Sequence, residues 1–348
     1  MTPEEIERFE HGMKKRPHVV ILGAGASVAA IPNGDANGKK ISVMNDFFQK
    51  TNTEYLLEGI ELKTKSKNLE DIFCEIYERP ELTETCHKLE KAIYDYFSEF
   101  QLPDEPTIYD FLILSLRKKD LIATFNWDPL LLQAYQRCGR ITHDLPELDF
   151  LHGNVSVGIC EHDKIMGPIR GICSKCHKHL TPIQLLYPIK TKDYNSNSFI
   201  KAQWQDVEYA LSHAYVITIF GYGAPPSDVE AISLLKEAWG DTEKRTLEQT
   251  EIIDIKSEDE LAETWSPFIY SHHYEVHNSF FDSTLASFPR RTCDCLFDNL
   301  MNCKFLDGEK GFKEKMTWSE IEQFLDPILN DEKINKDKKL TDFWIREL

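Results

Sequence analysis

The chain has 348 residues, with 40 Lys and Arg against 58 Asp and Glu, and its formal net charge is −18. This acidity excludes nucleic-acid binding through a broad basic field, so we expect no direct contact with nucleic acid. Hydrophobic residues make up 41 % of the chain, as in ordinary globular proteins, and no apolar run reaches the about 20 residues of a membrane-spanning helix. We therefore expect no membrane partner.

The N-terminus and the cysteines indicate the compartment. Residues 1–5 read Met-Thr-Pro-Glu-Glu, which lacks the features of a signal peptide. The nine cysteines are an odd number without the spacing of a disulfide framework. We expect reduced thiols and a cytoplasmic location.

Apolar runs of strand length alternate with helical periodicity along the chain. A short helix is predicted first, over residues 3–14. The runs that indicate buried strands are 18–22, 121–125, 214–220 and 251–255, with a weaker one at 274–276. Helical patterns fill 42–100 and 130–137. This alternation predicts an α/β fold with a Rossmann-like, doubly wound parallel sheet.

The later part of the chain is predicted to be mainly helical. A helix begins at residue 227 or 228, and Val229, Ile232, Leu235 and Trp239 would share its buried face. We interpret Asp228 as the N-cap of this helix. Beyond residue 278 strong strands are missing, and Thr317 with Glu320 predicts a capping box that opens another amphipathic helix.

A loop of small residues follows the first predicted strand. Residues 23–27 read Gly-Ala-Gly-Ala-Ser, which permits a tight turn, and the N-terminus of the next helix would suit a phosphate group. Val28 stands where the usual dinucleotide fingerprint has a third small residue, so the ordinary dehydrogenase pattern fails. Alone, the loop could equally be a strand-to-helix turn without a ligand.

Polar residues follow further predicted strands, at the edge where open α/β sheets bind ligands. These segments are 124–128, 151–153 and 220–223, which read Thr-Phe-Asn-Trp-Asp, Leu-His-Gly and Phe-Gly-Tyr-Gly. With the glycine loop, and in this order, they resemble the sirtuin superfamily. They are most similar to the sirtuin-like NAD-consuming domains of bacterial anti-phage defence systems. The resemblance extends over roughly residues 17–256.

The resemblance implies a role for each matching residue at the phosphate and adenosine end of NAD⁺. The residues that would cradle the phosphates are Gly23, Ala24, Gly25 and Ser27. Gly221 and Tyr222 would line the adenosine side of the cleft, and Asp254 would bind the adenine ribose.

At the nicotinamide end the resemblance implies two catalytic residues, Asn126 and His152. Asn126 would hold the ribose and position the attacking group, and His152 would act as a base near the ribose hydroxyls. Asp128 would contact the carboxamide, although it could also serve only as a helix cap before Pro129. Loss of nicotinamide creates an oxocarbenium-like centre, which requires positioning and electron-rich neighbours more than covalent help. We expect hydrolysis of NAD⁺ to nicotinamide and ADP-ribose.

The segment after the glycine loop departs from the protein deacylases. Deacylases carry Gly-Ile-Pro-Asp-Phe-Arg there, whereas residues 30–35 read Ala-Ile-Pro-Asn-Gly-Asp. The missing Phe and Arg favour water as the acceptor. The alternatives are an NAD-dependent protein deacylase or ADP-ribosyl transferase, and a non-catalytic module that binds NAD or ADP-ribose to control assembly.

A cluster of cysteines and histidines lies at 158–182. Cys160 and His162 form one close pair of candidate ligands, and Cys173 and Cys176 form a second pair. Twelve residues lie between Cys160 and Cys173, and this arrangement matches a structural zinc knuckle. We expect a structural Zn²⁺ held by Cys160, His162, Cys173 and Cys176. His177 or His179 could replace His162, and a loop without metal is the alternative.

We divide the chain into a sirtuin-like catalytic domain at 1–277, with the zinc-knuckle insertion at 155–182, and a helical extension at 278–348 for assembly. Phe343 and Trp344 could dock on a neighbouring molecule or on the chain's own core. Because unrestrained NAD⁺ hydrolysis would kill a cell, we expect a homo-oligomer and a separate partner protein, such as a ring-forming DNA-translocating ATPase.

Overall fold

A six-stranded parallel sheet forms the centre of the molecule. The computed structural model describes residues 2–42, 44–189, 194, 197–225, 228–335 and 341–346. The strands of this sheet are β1 (His18–Leu22), β2 (Leu121–Thr124), β3 (Glu147–Phe150), β7 (Val216–Phe220), β8 (Gln249–Ile253) and β9 (Tyr274–His277). Their order is β3-β2-β1-β7-β8-β9, and every neighbouring pair is parallel. The predicted α/β class with a Rossmann-like parallel sheet is confirmed.

Helices cover the sheet and connect its strands. Those before β7 are α1 (Pro3–Lys15), α2 (Ala24–Ala30), α3 (Phe47–Thr51), α4 (Leu69–Tyr77), α5 (Thr83–Ser98), α6 (Ile108–Leu114), α7 (Leu130–Cys138) and α8 (Ser198–His213). Those after β7 are α9 (Val229–Trp239), α10 (Glu258–Trp265), α11 (Thr284–Ser287), α12 (Thr292–Met301) and α13 (Trp318–Asn330). Within the described ranges, no helix is both long and apolar enough to cross a bilayer.

The order of the strands places a topological switch point between β1 and β7. The chain goes from β1 to β2 on one side and returns to β7 on the other side. Every residue of β1 and β7 is buried, because both strands lie inside a sheet that is covered on two faces. A crevice therefore opens at the carboxyl ends of these two strands, which is where open α/β sheets bind ligands.

A small antiparallel sheet interrupts the chain after β3. Its strands are β4 (Val157–Cys160), β5 (Ile165–Pro168) and β6 (Thr181–Pro182), in the order β5-β4-β6. Gly158 on β4 allows Leu180 to pack closely, because a Cβ at Gly158 would lie 2.8 Å from that of Leu180. This sheet corresponds to the predicted insertion and carries its cysteines.

The C-terminal helices share the core of the sheet. Leu325 of α13 and Trp344 are fully buried in the same apolar cluster as Val20 and Leu22 of β1. Trp344 therefore packs on the chain's own core, and Phe343 beside it stays 37 % exposed. The predicted capping box of α13 is present, with Thr317 as the N-cap.

The prediction of which residues form the buried face of α9 is partly wrong. Leu235 and Trp239 are buried as expected, but Val229 is 69 % exposed. Val229 is the first residue of the helix, and the helix contacts its neighbours further along, through Ala231, Leu235 and Trp239.

Candidate active site

A cleft lies at the carboxyl ends of β1, β2 and β7, at the switch point of the sheet. Its cavity volume is about 270 Å³. An apolar wall is formed by Ile41, Phe97, Phe125 and Trp127. The charged residues that line it are three acids, Glu70, Asp128 and Asp228, and no Lys or Arg is among the described lining residues.

The base of the cleft is a close contact between two loops, one after β1 and one after β7. A Cβ on Gly23 would lie 2.5 Å from Cα of Tyr222, and one on Gly221 would lie 2.4 Å from the backbone nitrogen of Ala26. Gly221 also has a φ of +60°, which favours glycine. The two backbones meet here with no space for side chains.

The backbone N–H groups of the two glycines in the first loop donate hydrogen bonds to the protein's own carbonyls. The N–H of Gly23 donates to the carbonyl of Phe220 at 3.0 Å, and the N–H of Gly25 donates to the carbonyl of Gly221 at 2.9 Å. Gly23 and Ala24 line the cavity, whereas Gly25 and Ser27 are not among the lining residues. The two glycines therefore join the loops, and Gly23 and Ala24 are the residues of the first loop that line the cavity.

The side-chain amide nitrogen of Asn126 faces three hydrogen-bond acceptors with its two hydrogens. The carbonyl of Gly23 lies at 2.8 Å, Ser27 Oγ at 2.9 Å and Tyr109 Oη at 3.2 Å, so one hydrogen is shared between two acceptors. A backbone carbonyl can only accept, so the nitrogen of the amide must face Gly23. The side-chain oxygen of Asn126 is consequently on the other side of the amide group.

Ser27 connects Asn126 with Asp128. The Ser27 hydroxyl donates to Oδ2 of Asp128 at 2.6 Å, so Tyr109, whose Oη lies 2.6 Å from Ser27 Oγ, must donate to Ser27. Asp128 also accepts from the backbone N–H of Leu130 at 3.1 Å. Asp128 therefore accepts a hydrogen bond from the first residue of α7 and lines the cleft, and burial raises its pKa.

His152 lines the same cavity and is 5 % exposed. Phe125 packs edge-on against its ring, with centroids 4.8 Å apart. Nε2 of His152 lies 3.3 Å from Oη of Tyr194 and 3.9 Å from Oδ1 of Asp228. The Tyr222 hydroxyl donates to Oδ2 of Asp228 at 2.9 Å.

The structure brings most of the predicted site residues to this cleft. The lining includes Gly23, Ala24, Asn126, Asp128, His152, Gly221 and Tyr222. Ser27 lies directly behind Asn126, and Gly25 lies behind Gly221. Asp254 is not among the lining residues, and its Oδ1 accepts from the backbone N–H of Lys256 instead.

Sequence reasoning missed two residues of the site. Tyr109 lies within α6 among mostly apolar residues, outside every motif identified in the sequence. Asp228 was interpreted as a helix cap, but its side chain makes no capping hydrogen bond to α9. No local pattern distinguishes either residue, because Tyr109 contacts Ser27 and Asn126, and Asp228 lies beside His152, all of which belong to other segments.

The cysteines of the small sheet converge on a carboxylate. Ligand atoms of Cys160, Asp163, Cys173 and Cys176 all lie within 4.8 Å of one another. Hydrogen bonds from the thiols, that of Cys176 first, hold the pKa of the Asp163 carboxyl below its usual range. Three thiols and one carboxylate are suitable donors for tetrahedral Zn²⁺, so these residues fit a structural ion.

His162 does not join this group, and Asp163 takes the place predicted for it. The side chain of His162 is 83 % exposed, and its Nδ1 lies 2.9 Å from Oδ1 of Asp163. The turn after β4 directs the next residue, Asp163, toward the cysteines. His177 and His179 are also absent from the described group of ligand atoms.

Comparisons with known proteins give similarity only among solved structures. No protein-family model matches the chain, and no curated protein matches it. A structure described as a Sir2 homologue–NAD complex matches with 13 % identity over 84 % of this chain and 94 % of that chain, with a TM-score of 0.40. A structure on the mechanism and regulation of Sir2 enzymes matches with 14 % identity over 84 % and 99 % of the two chains, with a TM-score of 0.41. The similarity concerns the fold.

Proposed function

We propose that the protein is an NAD⁺ glycohydrolase that cleaves the bond between nicotinamide and ribose and releases nicotinamide and ADP-ribose. The observation that carries the proposal is that Asn126 and His152, which follow different strands, line one cavity at the switch point of the sheet. An oriented amide and an imidazole in the same cleft are suited to water attack on a sugar carbon.

The two residues would have separate tasks. The amide nitrogen of Asn126 is fixed by Gly23, Ser27 and Tyr109, so its oxygen would orient the ribose and the attacking water. The water oxygen bonds to C1′ of the ribose while the C1′–N bond breaks and its electron pair stays on the nicotinamide nitrogen. His152 takes the proton that the water loses.

The acidic and apolar lining also favours this substrate. Nicotinamide carries a positive charge on its ring nitrogen in NAD⁺, and Asp128 and Glu70 are carboxylates in the lining. Trp127 and Phe97 supply flat apolar surfaces that would pack against the ring and exclude bulk water. Both features would assist binding of the oxidised dinucleotide.

We further propose that this activity depletes NAD⁺ in bacterial anti-phage defence, and that assembly controls it. Control would come from a homo-oligomer or from a separate partner, such as a ring-forming DNA-translocating ATPase. The zinc group would have a structural task, because four protein ligands leave no open position for chemistry.

Incubation of the purified protein with NAD⁺, followed by chromatographic separation of the products, tests the activity. Wild type should release equal amounts of nicotinamide and ADP-ribose without a protein acceptor. Asn126→Ala and His152→Ala should each abolish release. The exposed Asn330→Ala and His143→Ala serve as matched controls and should retain it.

Two other outcomes would replace the proposal. Turnover that requires an acylated peptide or a protein acceptor would indicate a deacylase or an ADP-ribosyl transferase. NAD⁺ binding without turnover, unchanged by Asn126→Ala, would indicate a non-catalytic module. Each reaction should be run with the isolated chain and again with the product of its neighbouring gene.

A further inference from the structure

Asp228 is a buried carboxylate beside the imidazole of His152. We propose that Asp228 is a positioning residue that orients His152 and stabilises its protonated form during NAD⁺ hydrolysis. The inference rests on the proposed function, because it assigns a task within that reaction. It extends the catalytic group beyond the residues that sequence motifs mark.

The side chain of Asp228 is turned away from the helix that it precedes. It occupies the N-cap position of α9 but makes no capping hydrogen bond, whereas Ser257 and Thr317 at the same position of α10 and α13 do. Asp228 is 5 % exposed and lines the cleft. A capping role would be satisfied at the surface, so burial in the cleft requires another explanation.

Asp228 contacts two groups at the cleft through its two oxygens. Oδ2 accepts a hydrogen bond from the Tyr222 hydroxyl at 2.9 Å, which fixes the rotation of the carboxylate. Oδ1 then lies 3.9 Å from Nε2 of His152. Tyr222 itself stacks on Phe125, with centroids 4.3 Å apart, and Phe125 packs against the His152 ring.

A carboxylate at this position has a clear effect on an imidazole. It favours the tautomer that carries a proton on Nε2, and it stabilises the imidazolium that forms when the ring accepts a second proton. Because both groups are buried, their interaction is screened less than in water. The proton from the attacking water would reside on His152.

The test compares Asp228→Asn with wild type in NAD⁺ hydrolysis. We expect kcat to fall about 100-fold, which is the lower range of a general-base contribution, while KM changes less than threefold. Asp149→Asn is the matched control, because Asp149 is buried to a similar degree but is not among the lining residues of the cleft. It should retain the wild-type kcat.

Chemical rescue separates positioning from a purely structural role. Formate at constant ionic strength should raise the activity of Asp228→Ala at least tenfold, and chloride should not. Formate should have no effect on His152→Ala. The melting temperatures of all variants are compared to detect loss of folding. Tyr222→Phe is a milder second variant, because it removes only the hydroxyl that holds Asp228. Its kcat should fall less than that of Asp228→Asn.

The outcomes distinguish this inference from the proposed function. If wild type cleaves NAD⁺ and His152→Ala does not, but Asp228→Asn keeps the wild-type kcat, the role of Asp228 is wrong and the function stands. An Asp228→Ala variant that formate cannot rescue would also overturn the role. If wild type releases no nicotinamide with or without its partner, the proposed function itself fails.

Discussion

The hydroxyl of Tyr109 lies 3.2 Å from the amide nitrogen of Asn126, although the two residues come from α6 and from the loop after β2. The same hydroxyl lies 2.6 Å from Ser27 Oγ. Tyr109 is fully buried, and desolvation raises its pKa, so it stays a neutral donor. It therefore supports the orientation of Asn126 from outside the cavity.

Tyr109→Phe should lower kcat for NAD⁺ about fivefold with little change in KM. Removal of the hydroxyl withdraws one hydrogen bond, worth about 1 kcal/mol, from the group that fixes Asn126, and this energy corresponds to about a fivefold rate change. Steady-state kinetics measure the effect. Tyr215→Phe removes an equally buried hydroxyl from an apolar cluster near α1 and α12, and it should leave kcat unchanged. Equal kinetics of both variants would contradict a role for Tyr109.

Zinc content should depend on Asp163 and not on His162. Asp163→Ala removes a donor from the group formed with Cys160, Cys173 and Cys176, so elemental analysis should show loss of most of the metal and a lower melting temperature. His162→Ala alters an exposed ring and should retain both. Cys303→Ser, at an exposed free cysteine, is a further control. Metal loss only in the His162 variant would restore the original ligand set.

Gly221→Ala should destabilise the protein by about 2–4 kcal/mol, because alanine strains a backbone with positive φ and its Cβ would overlap the backbone of Ala26. Gly223→Ala provides the matched change two residues later, where a Cβ would meet no atom within 4 Å. Urea unfolding measures both variants. A similar loss in the two would exclude the loop contact as the cause.

Asp149→Asn should stabilise the protein above neutral pH. Burial first, then Asp206 and Glu147, raises the pKa of Asp149 in the folded protein to about 8. The folded state therefore holds a proton that the unfolded chain loses near its ordinary pKa of about 3.9, so wild-type stability falls between about pH 4 and pH 8. Asparagine has no such proton.

Melting temperatures at several pH values check this prediction. The two proteins should melt alike near pH 4, and Asp149→Asn should melt a few degrees higher at pH 8. Exposed Asp104→Asn should keep a constant difference from wild type over the same range. A constant difference for Asp149→Asn as well would exclude the linkage.

The sequence predicted the sheet and the place of the cleft because both depend on simple patterns. The runs that became β1 and β7 are apolar throughout, and such runs are typical of strands buried on two faces. Asn126 and His152 each follow a parallel strand, so the fold brings them to the same edge. Local pattern and topology were sufficient for these features.

Features that depend on side-chain direction were beyond such patterns. Histidine is a common zinc ligand, but the turn after β4 places the carboxylate of Asp163 and not the ring of His162 beside the cysteines, and no spacing rule distinguishes neighbouring residues. Asp228 has the identity of a helix cap, yet the hydroxyl of Tyr222 holds it in the cleft. In both cases contacts made in three dimensions outweighed a local preference.

The hydrogen bond between Gly25 and Gly221 has a consequence for ligand exchange. It joins the loops after β1 and β7 backbone to backbone, so this part of the lining cannot widen without breaking the hydrogen bond. Under the proposed function, exchange of NAD⁺ and its products would therefore depend on movement of other lining residues, such as Asn68 and Glu70 at the start of α4.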